Sequence, residues 1–302
     1  MNKPKILLLG GDGFLGKGLQ REFTARGVDF TSLDMKDVDL TDPDSVGQIA
    51  LTMTEYSHIV HLASIVGIEV FNSEPEYGAA VNAQIYKNFI KALNLAYDFQ
   101  QGKTGFDVTF YSTSEVFGGM RSKYDYITND SPYRFDRNSQ RYLYSKTKAD
   151  TEKELAELKN AGKLRFLKIL RPFNISGKGQ RRGVLYEMVK SAALSGKIKY
   201  MLDTTRSITD IDLASTEAVD RILAECDVST NIVDNCSVEL KTIALRTAEY
   251  FGNDVELEEI EPDKYMRYRQ VSKIESCDPM VNGKLDKIID DIASENGWRR
   301  RK

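Results

Sequence analysis

Histidine, cysteine and tryptophan are nearly missing from this chain of 302 residues, which has two, three and one of them. Cys226, Cys236 and Cys277 follow no metal-ligand spacing, and two histidines are too few to make a structural zinc site an expectation. Reduced thiols in a cytoplasmic compartment are the simplest reading. No apolar run is long enough to span a bilayer, and the N-terminus enters its first strand with no room for a signal peptide. A strong charge imbalance is missing as well. The formal net charge is −3, and the longest block of like charge is Arg299-Arg300-Arg301-Lys302, read as a solvated end, so neither nucleic acid nor a membrane surface is an expected partner. No internal repeat and no disordered linker interrupt the chain. With 41% hydrophobic and 29% charged residues, it has the composition of an ordinary soluble protein of one large domain or a domain and a half.

The stretch around which the rest is arranged is Lys5-Ile6-Leu7-Leu8-Leu9-Gly10-Gly11-Asp12-Gly13-Phe14-Leu15-Gly16. Its short apolar run, stopped by glycines, predicts a strand buried on both faces; Phe14, Leu15, Leu19 and Phe23 then open a helical stripe. Glycines at Gly10, Gly13 and Gly16 allow a tight turn and let a pyrophosphate approach bare main chain at a helix N-terminus, where free N–H groups and the dipole favour an anion. Alone, the motif is no more telling than a glycine turn without a ligand. Its context adds weight: an alternating segment from Val28 to Leu33 predicts a second strand ending in Asp34, whose carboxylate suits a ribose 2′-OH and would repel a 2′-phosphate, favouring NAD over NADP. A solvated strand-end aspartate is the plain alternative.

Further along, 58–64 reads as a buried strand, and 76–97 as a long amphipathic helix with Asn82, Ile85, Phe89, Leu93 and Ala96 on its inner stripe. Asn82 must then be hydrogen-bonded, most simply to neighbouring backbone. Phe106 to Tyr111 reads as a strand ending in Ser112-Thr113-Ser114-Glu115-Val116-Phe117-Gly118, hydroxyls and a carboxylate at the edge where open α/β sheets bind ligands. A helix from 141 to about 160 carries two tyrosine–lysine pairs four residues apart, Tyr142 with Lys146 and Tyr144 with Lys148. An ammonium ion stacked one turn from a phenol, with a second positive charge nearby, lowers the phenol's pKa. Moving it from about 10 to near 7 takes about 4 kcal/mol, and the phenol can then accept a proton from a sugar hydroxyl. Spacing alone does not choose between the pairs.

Another strand at 164–170 leads to Arg171-Pro172-Phe173-Asn174, after which a basic loop, Lys178 to Arg182, opens a smaller region. The expected division is a nucleotide-binding domain over 1–175, with 205–235 returning to it, and a substrate-binding region over 176–204 and 236–302.

Together these residues resemble the extended short-chain dehydrogenase/reductase family, in its nucleotide-sugar epimerase/dehydratase branch. The likeness runs to about residue 255. In order it comprises the glycine turn, Asp34, Asp39-Leu40, His61-Leu62-Ala63-Ser64, the Thr113 loop, the tyrosine–lysine helix, Arg171 to Asn174, and Arg206-Ser207-Ile208-Thr209-Asp210-Ile211. The resemblance implies an α/β, Rossmann-like, doubly wound parallel sheet with a smaller C-terminal α/β region, NAD as cofactor and a nucleoside-diphosphate sugar as substrate. The family pattern Tyr-x-x-Ser-Lys-x-x-Ala-Glu selects Tyr142 and Lys146, leaving Tyr144 and Lys148 to the surface or the substrate loop. It places Phe14, Leu15, Leu62, Ala63 and Ser64 at the cofactor together with the glycines, Asp34, Asp39 and Leu40. Tyr142 and Lys146 would also touch the cofactor.

By the same resemblance Thr113 would bind the sugar O4, Tyr142 would be the base, and Ser114, Asn174, Arg181 and Arg206 would meet the substrate. Glu115 tilts the reaction from epimerisation toward 4,6-dehydration or C6 decarboxylation, through a transient 4-keto sugar. Two departures stand out. Ser114 occupies the place where dTDP-glucose dehydratases carry an aspartate, and the family's Leu-Gly-Trp-x-Pro ending is not found. A 4-epimerase, an NAD(P)H-dependent reductase of the same fold, and a non-catalytic NAD-binding protein remain alternatives. The helices at 76–97 and 141–160 resemble the pair through which the family forms homodimers.

Overall fold

The computed structural model describes residues 4–66, 68–102, 105–139, 141–234, 237–252, 254–261, 267–269, 271 and 279–298. Cys236, Cys277, part of the unmatched 264–283 stretch and the basic tail at 299–302 lie outside them. Cys226, which is described, is an exposed free thiol. The chain divides into two compact units: residues 1–116, 137–172 and 215–232, and residues 117–136, 173–214 and 233–302.

The first unit is built on β1 (Lys5–Leu9), β2 (Asp29–Leu33), β3 (His58–His61), β4 (Phe106–Tyr111), β5 (Leu164–Pro172) and a sixth strand, Val228–Ile232. All pair in parallel, in the spatial order β2, β1, β3, β4, β5 and Val228–Ile232. Ile6 to Leu9, His58 to His61 and the whole of β4 are buried, as strands covered on both faces must be. Helices α1 (Phe14–Ala25), α2 (Val46–Met53), α3 (Ile68–Ser73), α4 (Pro75–Phe99) and α5 (Tyr142–Asn160) supply the cover. Proline at its first position starts α4, and its stripe at Asn82, Ile85, Phe89, Leu93 and Ala96 is buried throughout. Asn82 spends both ends of its amide on Ile65, accepting from the backbone N–H at 2.7 Å and donating to the carbonyl at 3.0 Å.

In the second unit Lys197–Met201 pairs in parallel with Glu256–Ile260, and Thr205–Ser207 lies between Ser237–Glu239 and Tyr268–Arg269. Its apolar core is formed by α6 (Val184–Ser195) together with the helices Leu240–Phe251 and Pro279–Glu295. Two boundaries differ from the sequence expectation. Thr205–Ser207 and Thr209–Asp210 were expected to return to the main domain, but their strand partners place them in the second unit, and the chain rejoins the first at Ser215–Ile232. Residues 117–136, expected in the first unit, also belong to the second.

Candidate active site

Four strand ends define the site in the first unit. Leu9 pairs with both Leu33 and His61, and His61 with Phe110, so β1 to β4 end nearly level. The segments that follow therefore emerge at one edge, around the point between β1 and β3 where the strand order reverses. That is where open parallel sheets bind ligands. The glycine turn, Asp34, Leu62, Ala63, Ser64 and Thr113 are all brought to that edge by register rather than by proximity in sequence.

The glycine turn brings backbone against backbone at the start of α1. Gly10 has φ of +87°, and a Cβ there would lie 2.6 Å from the Ala63 nitrogen; Gly16 would meet the Gly11 carbonyl oxygen at 2.5 Å. These two glycines let backbone press on backbone. Gly13 differs. It is exposed and has an ordinary φ of −70°, and the nearest atom to its would-be Cβ is the Gly10 carbonyl oxygen at 3.6 Å. Packing does not require its small size, but an approaching pyrophosphate would. Phe14 and Leu15 begin α1 at this point, with no side-chain cap and no acid in the first turn, so the helix start is open to an anion. Asp34 is aimed by the turn itself: its Oδ2 accepts the Asp12 N–H at 2.8 Å and its Oδ1 the Met35 N–H at 2.9 Å. Each oxygen keeps a lone pair for a ribose hydroxyl. Asp39 is turned to local work, its Oδ1 accepting from the Thr41 N–H and hydroxyl, which hold the carboxyl below its usual pKa. Leu40 is buried and its carbonyl accepts from Asn88.

The helix α5 overturns one expectation. Residues two apart on a helix lie about 200° apart, so only one of the two tyrosine–lysine pairs can face the sheet. The buried residues of α5 are Tyr144, Ser145, Lys148, Thr151, Glu152 and Leu155. Tyr144 and Lys148, expected at the surface or in the substrate loop, lie within α5 and are 8% and 2% exposed. Lys146 turns outward to an ion pair with Asp150, and Tyr142 is half-buried at the first position of the helix. Lys148 donates to the Tyr111 carbonyl at the end of β4 at 2.6 Å, and its Nζ lies 4.9 Å from the Tyr86 ring and 4.8 Å from the Phe110 ring. Burial pushes its pKa down to about 7, partly opposed by the Glu152 carboxylate. Tyr144 packs on Phe71 at 5.1 Å, with the Arg141 guanidinium 5.5 Å from its ring centre. A signal for this face was present in the sequence: Tyr144, Lys148 and Glu152 recur every four residues and share a stripe with Leu155.

Glu152 anchors that face. It takes two hydrogen bonds from Arg171 of β5, at 3.1 and 2.7 Å, and one from Ser112 after β4, in a buried ion pair. Thr113 is buried and its hydroxyl accepts the Glu115 N–H at 3.2 Å, which leaves the hydroxyl proton to donate elsewhere. Ser114 is buried beside it, and the Glu115 carboxylate lies 3.7 Å from Arg141.

The remaining substrate candidates belong to the second unit. Asn174, at φ of +38°, donates to the Ser207 carbonyl at 2.9 Å. Arg206 is half-buried and donates to the Thr205 and Arg267 carbonyls, beside Asp203, which pairs with Arg267 and accepts from the Tyr268 hydroxyl at 2.9 Å. Arg181 is exposed and donates to Asn296 just past the last helix of the unit.

Among the described residues, no helix is long and apolar enough to cross a membrane, and no group of three or more histidine, cysteine or acidic side chains is arranged to hold a metal.

A GDP-6-deoxy-D-talose 4-dehydrogenase of Aggregatibacter actinomycetemcomitans is 27% identical over 219 residues, covering 68% of this chain and 65% of that protein. The match thus spans just under two thirds of the relative's length. The UDP-glucose 4-epimerase of Brucella ovis, solved with NAD, superposes with a TM-score of 0.78 at 17% identity over 98% of this chain and 99% of that one. A dTDP-glucose 4,6-dehydratase of Streptomyces venezuelae, solved with NAD, gives 0.76 at 17% identity over 98% of each. The family model described as the NAD dependent epimerase/dehydratase family matches residues 6–212, more than half of the chain, including the ends of β1 to β4 that define the site. The chain belongs to the NAD-dependent epimerase/dehydratase family.

Proposed function

We propose that this protein oxidises a nucleoside-diphosphate sugar at C4, with Tyr144 as the base and Lys148 as its electrostatic partner, in place of Tyr142 and Lys146. The observation that carries this reading is the seating of Lys148 on the Tyr111 carbonyl, one helical turn from Tyr144 and next to the Ser112-Thr113 loop. A charged Lys148 favours the phenolate of Tyr144, which takes the proton of the C4 hydroxyl while Thr113 hydrogen-bonds the same oxygen. Bound NAD supplies the acceptor for the hydride that leaves C4. Gly13 and the open start of α1 would hold its pyrophosphate, and Asp34 its adenosine ribose.

After oxidation, the groups beside Thr113 bear on the outcome. A carboxylate beside Arg141 can accept the acidified C5 proton, whereas Ser114 offers no carboxyl to protonate a leaving hydroxyl. A 4-keto sugar carrying a C6 carboxylate needs no such acid: as a β-keto acid it breaks its C5–C6 bond to release carbon dioxide, the electron pair passes into the C4 carbonyl as an enolate, and C5 then takes a proton from water. Decarboxylation is therefore the form favoured here, ahead of 4,6-dehydration. The 4-dehydrogenase name of the curated relative favours a second reading, net redox at C4. Incubating the NAD-loaded protein with UDP-, GDP-, dTDP- and CDP-sugars and weighing the products separates these. Loss of carbon dioxide supports the first, loss of water supports dehydration, and a gain or loss of two hydrogens with stoichiometric coenzyme use supports the second. An unchanged panel, sugar by sugar, refutes the enzymatic reading. We further infer a cytoplasmic homodimer through α4 and α5; sedimentation as a monomer would refute the dimer.

A further inference from the structure

Tyr86 belongs to none of the motifs above, yet it touches Ser64, Phe110 and Lys148. It lies on α4 at 2% exposure, and its hydroxyl donates to Ser64 Oγ, after β3, at 3.0 Å. Its ring stands at 88° to Phe110 of β4, and the Lys148 ammonium sits by both rings. A desolvated ammonium beside an aromatic ring is held by the ring's quadrupole, and a lysine side chain otherwise has many rotamers to choose from.

We propose that Tyr86 is the positioning residue for Lys148, its ring fixing the ammonium at the β4 end while its hydroxyl fixes Ser64 at the β3 end. The proposal rests on the reading of Lys148 as a partner of the reactive phenol. The other groups facing Lys148 can be named element by element. Glu152 and Tyr144 come from its own helix, with Glu152 tied to Arg171 of β5. His61 comes from β3, neutral because burial pushes its pKa down to about 3, and β4 gives the Tyr111 carbonyl. Tyr86 itself is kept a neutral phenol by burial, well above its ordinary value. Glu152 supplies charge and Tyr111 an acceptor; Tyr86 and Phe110 supply the walls.

The test compares rings of equal shape and opposite electronics. Full-length protein labelled with 13C at lysine Cε is titrated by NMR as native, as Tyr86→Phe, and with pentafluorophenylalanine incorporated at position 86. The Lys148 signal is assigned by its absence in Lys148→Met. Phe should titrate within about 0.3 units of native, and the fluorinated ring, with its quadrupole reversed, about one unit lower. Superposable curves for Phe and its fluorinated form would overturn the proposal. NADH titrations on the same samples test the hydroxyl: Tyr86→Phe should weaken binding about threefold to tenfold through the lost Ser64 bond, and unchanged affinity refutes that half. If no form binds NADH, the catalytic reading falls while the lysine titration still decides the ring contact.

Discussion

Replacing Lys148 by methionine should make this protein more stable at neutral pH, and that gain should shrink as pH rises. Burial lowers the lysine from 10.5 to about 7 in the folded protein, while the unfolded chain keeps the ordinary value. Between those two values the unfolded state binds the extra proton, so this group makes stability rise with pH; below both, its penalty is complete. Linkage puts the penalty at about 4 kcal/mol at pH 7 and about 2 kcal/mol at pH 9. Methionine removes the penalty but strands the Tyr111 carbonyl, which costs about 1–3 kcal/mol and hardly depends on pH. The net gain at pH 7 is therefore about 1–3 kcal/mol, and the difference between the two proteins should narrow by about 2 kcal/mol from pH 7 to pH 9. Urea unfolding of both proteins at the two pH values measures that change, because every other titrating group is common to both and cancels. A difference that stays constant would mean the ammonium is solvated in the folded state, and the seating of Lys148 would be wrong.

Tyr144→Phe should lower turnover by about a hundredfold or more while NADH binding persists, and Tyr142→Phe should change turnover by less than about tenfold; the reverse pattern, read from steady-state rates, would restore the outer pair. Gly13→Ala should leave the melting temperature unchanged yet weaken NADH binding at least about tenfold, because its Cβ meets only the Gly10 oxygen, at 3.6 Å. Gly10→Ala should instead destabilise by about 1–3 kcal/mol through its φ of +87° and the Ala63 backbone; calorimetry on the pair distinguishes a ligand cradle from a packing glycine. Glu152→Gln should destabilise by about 3–5 kcal/mol in denaturant titrations by leaving Arg171 buried without its carboxylate, and a near-neutral effect would show that water reaches the pair.

How far the sequence carries depends on the range of the forces involved. The strand, glycine turn, helix and Asp34 could be read from spacing, because turn conformation and apolar periodicity are local properties of a few neighbouring residues. So could the buried stripe of α4, and the Ser112 to Glu115 loop at a strand end. The placing of 205–211 could not, because β pairing of Thr205–Ser207 with Ser237–Glu239 and Tyr268–Arg269 joins residues at least 30 positions apart. Nor could the role of Tyr86, whose partners Ser64, Phe110 and Lys148 come from three other elements.

The sequence by itself determined that a tyrosine–lysine pair stands one turn apart on α5, since helix pitch guarantees it for both candidates. Tertiary structure decided which pair is turned inward, and the four-residue recurrence of Tyr144, Lys148 and Glu152 is its trace in the sequence. The rotation of a helix about its axis is set by what its other residues bury, and here Leu155, Thr151 and the Glu152–Arg171 ion pair lock the face that carries Tyr144 and Lys148.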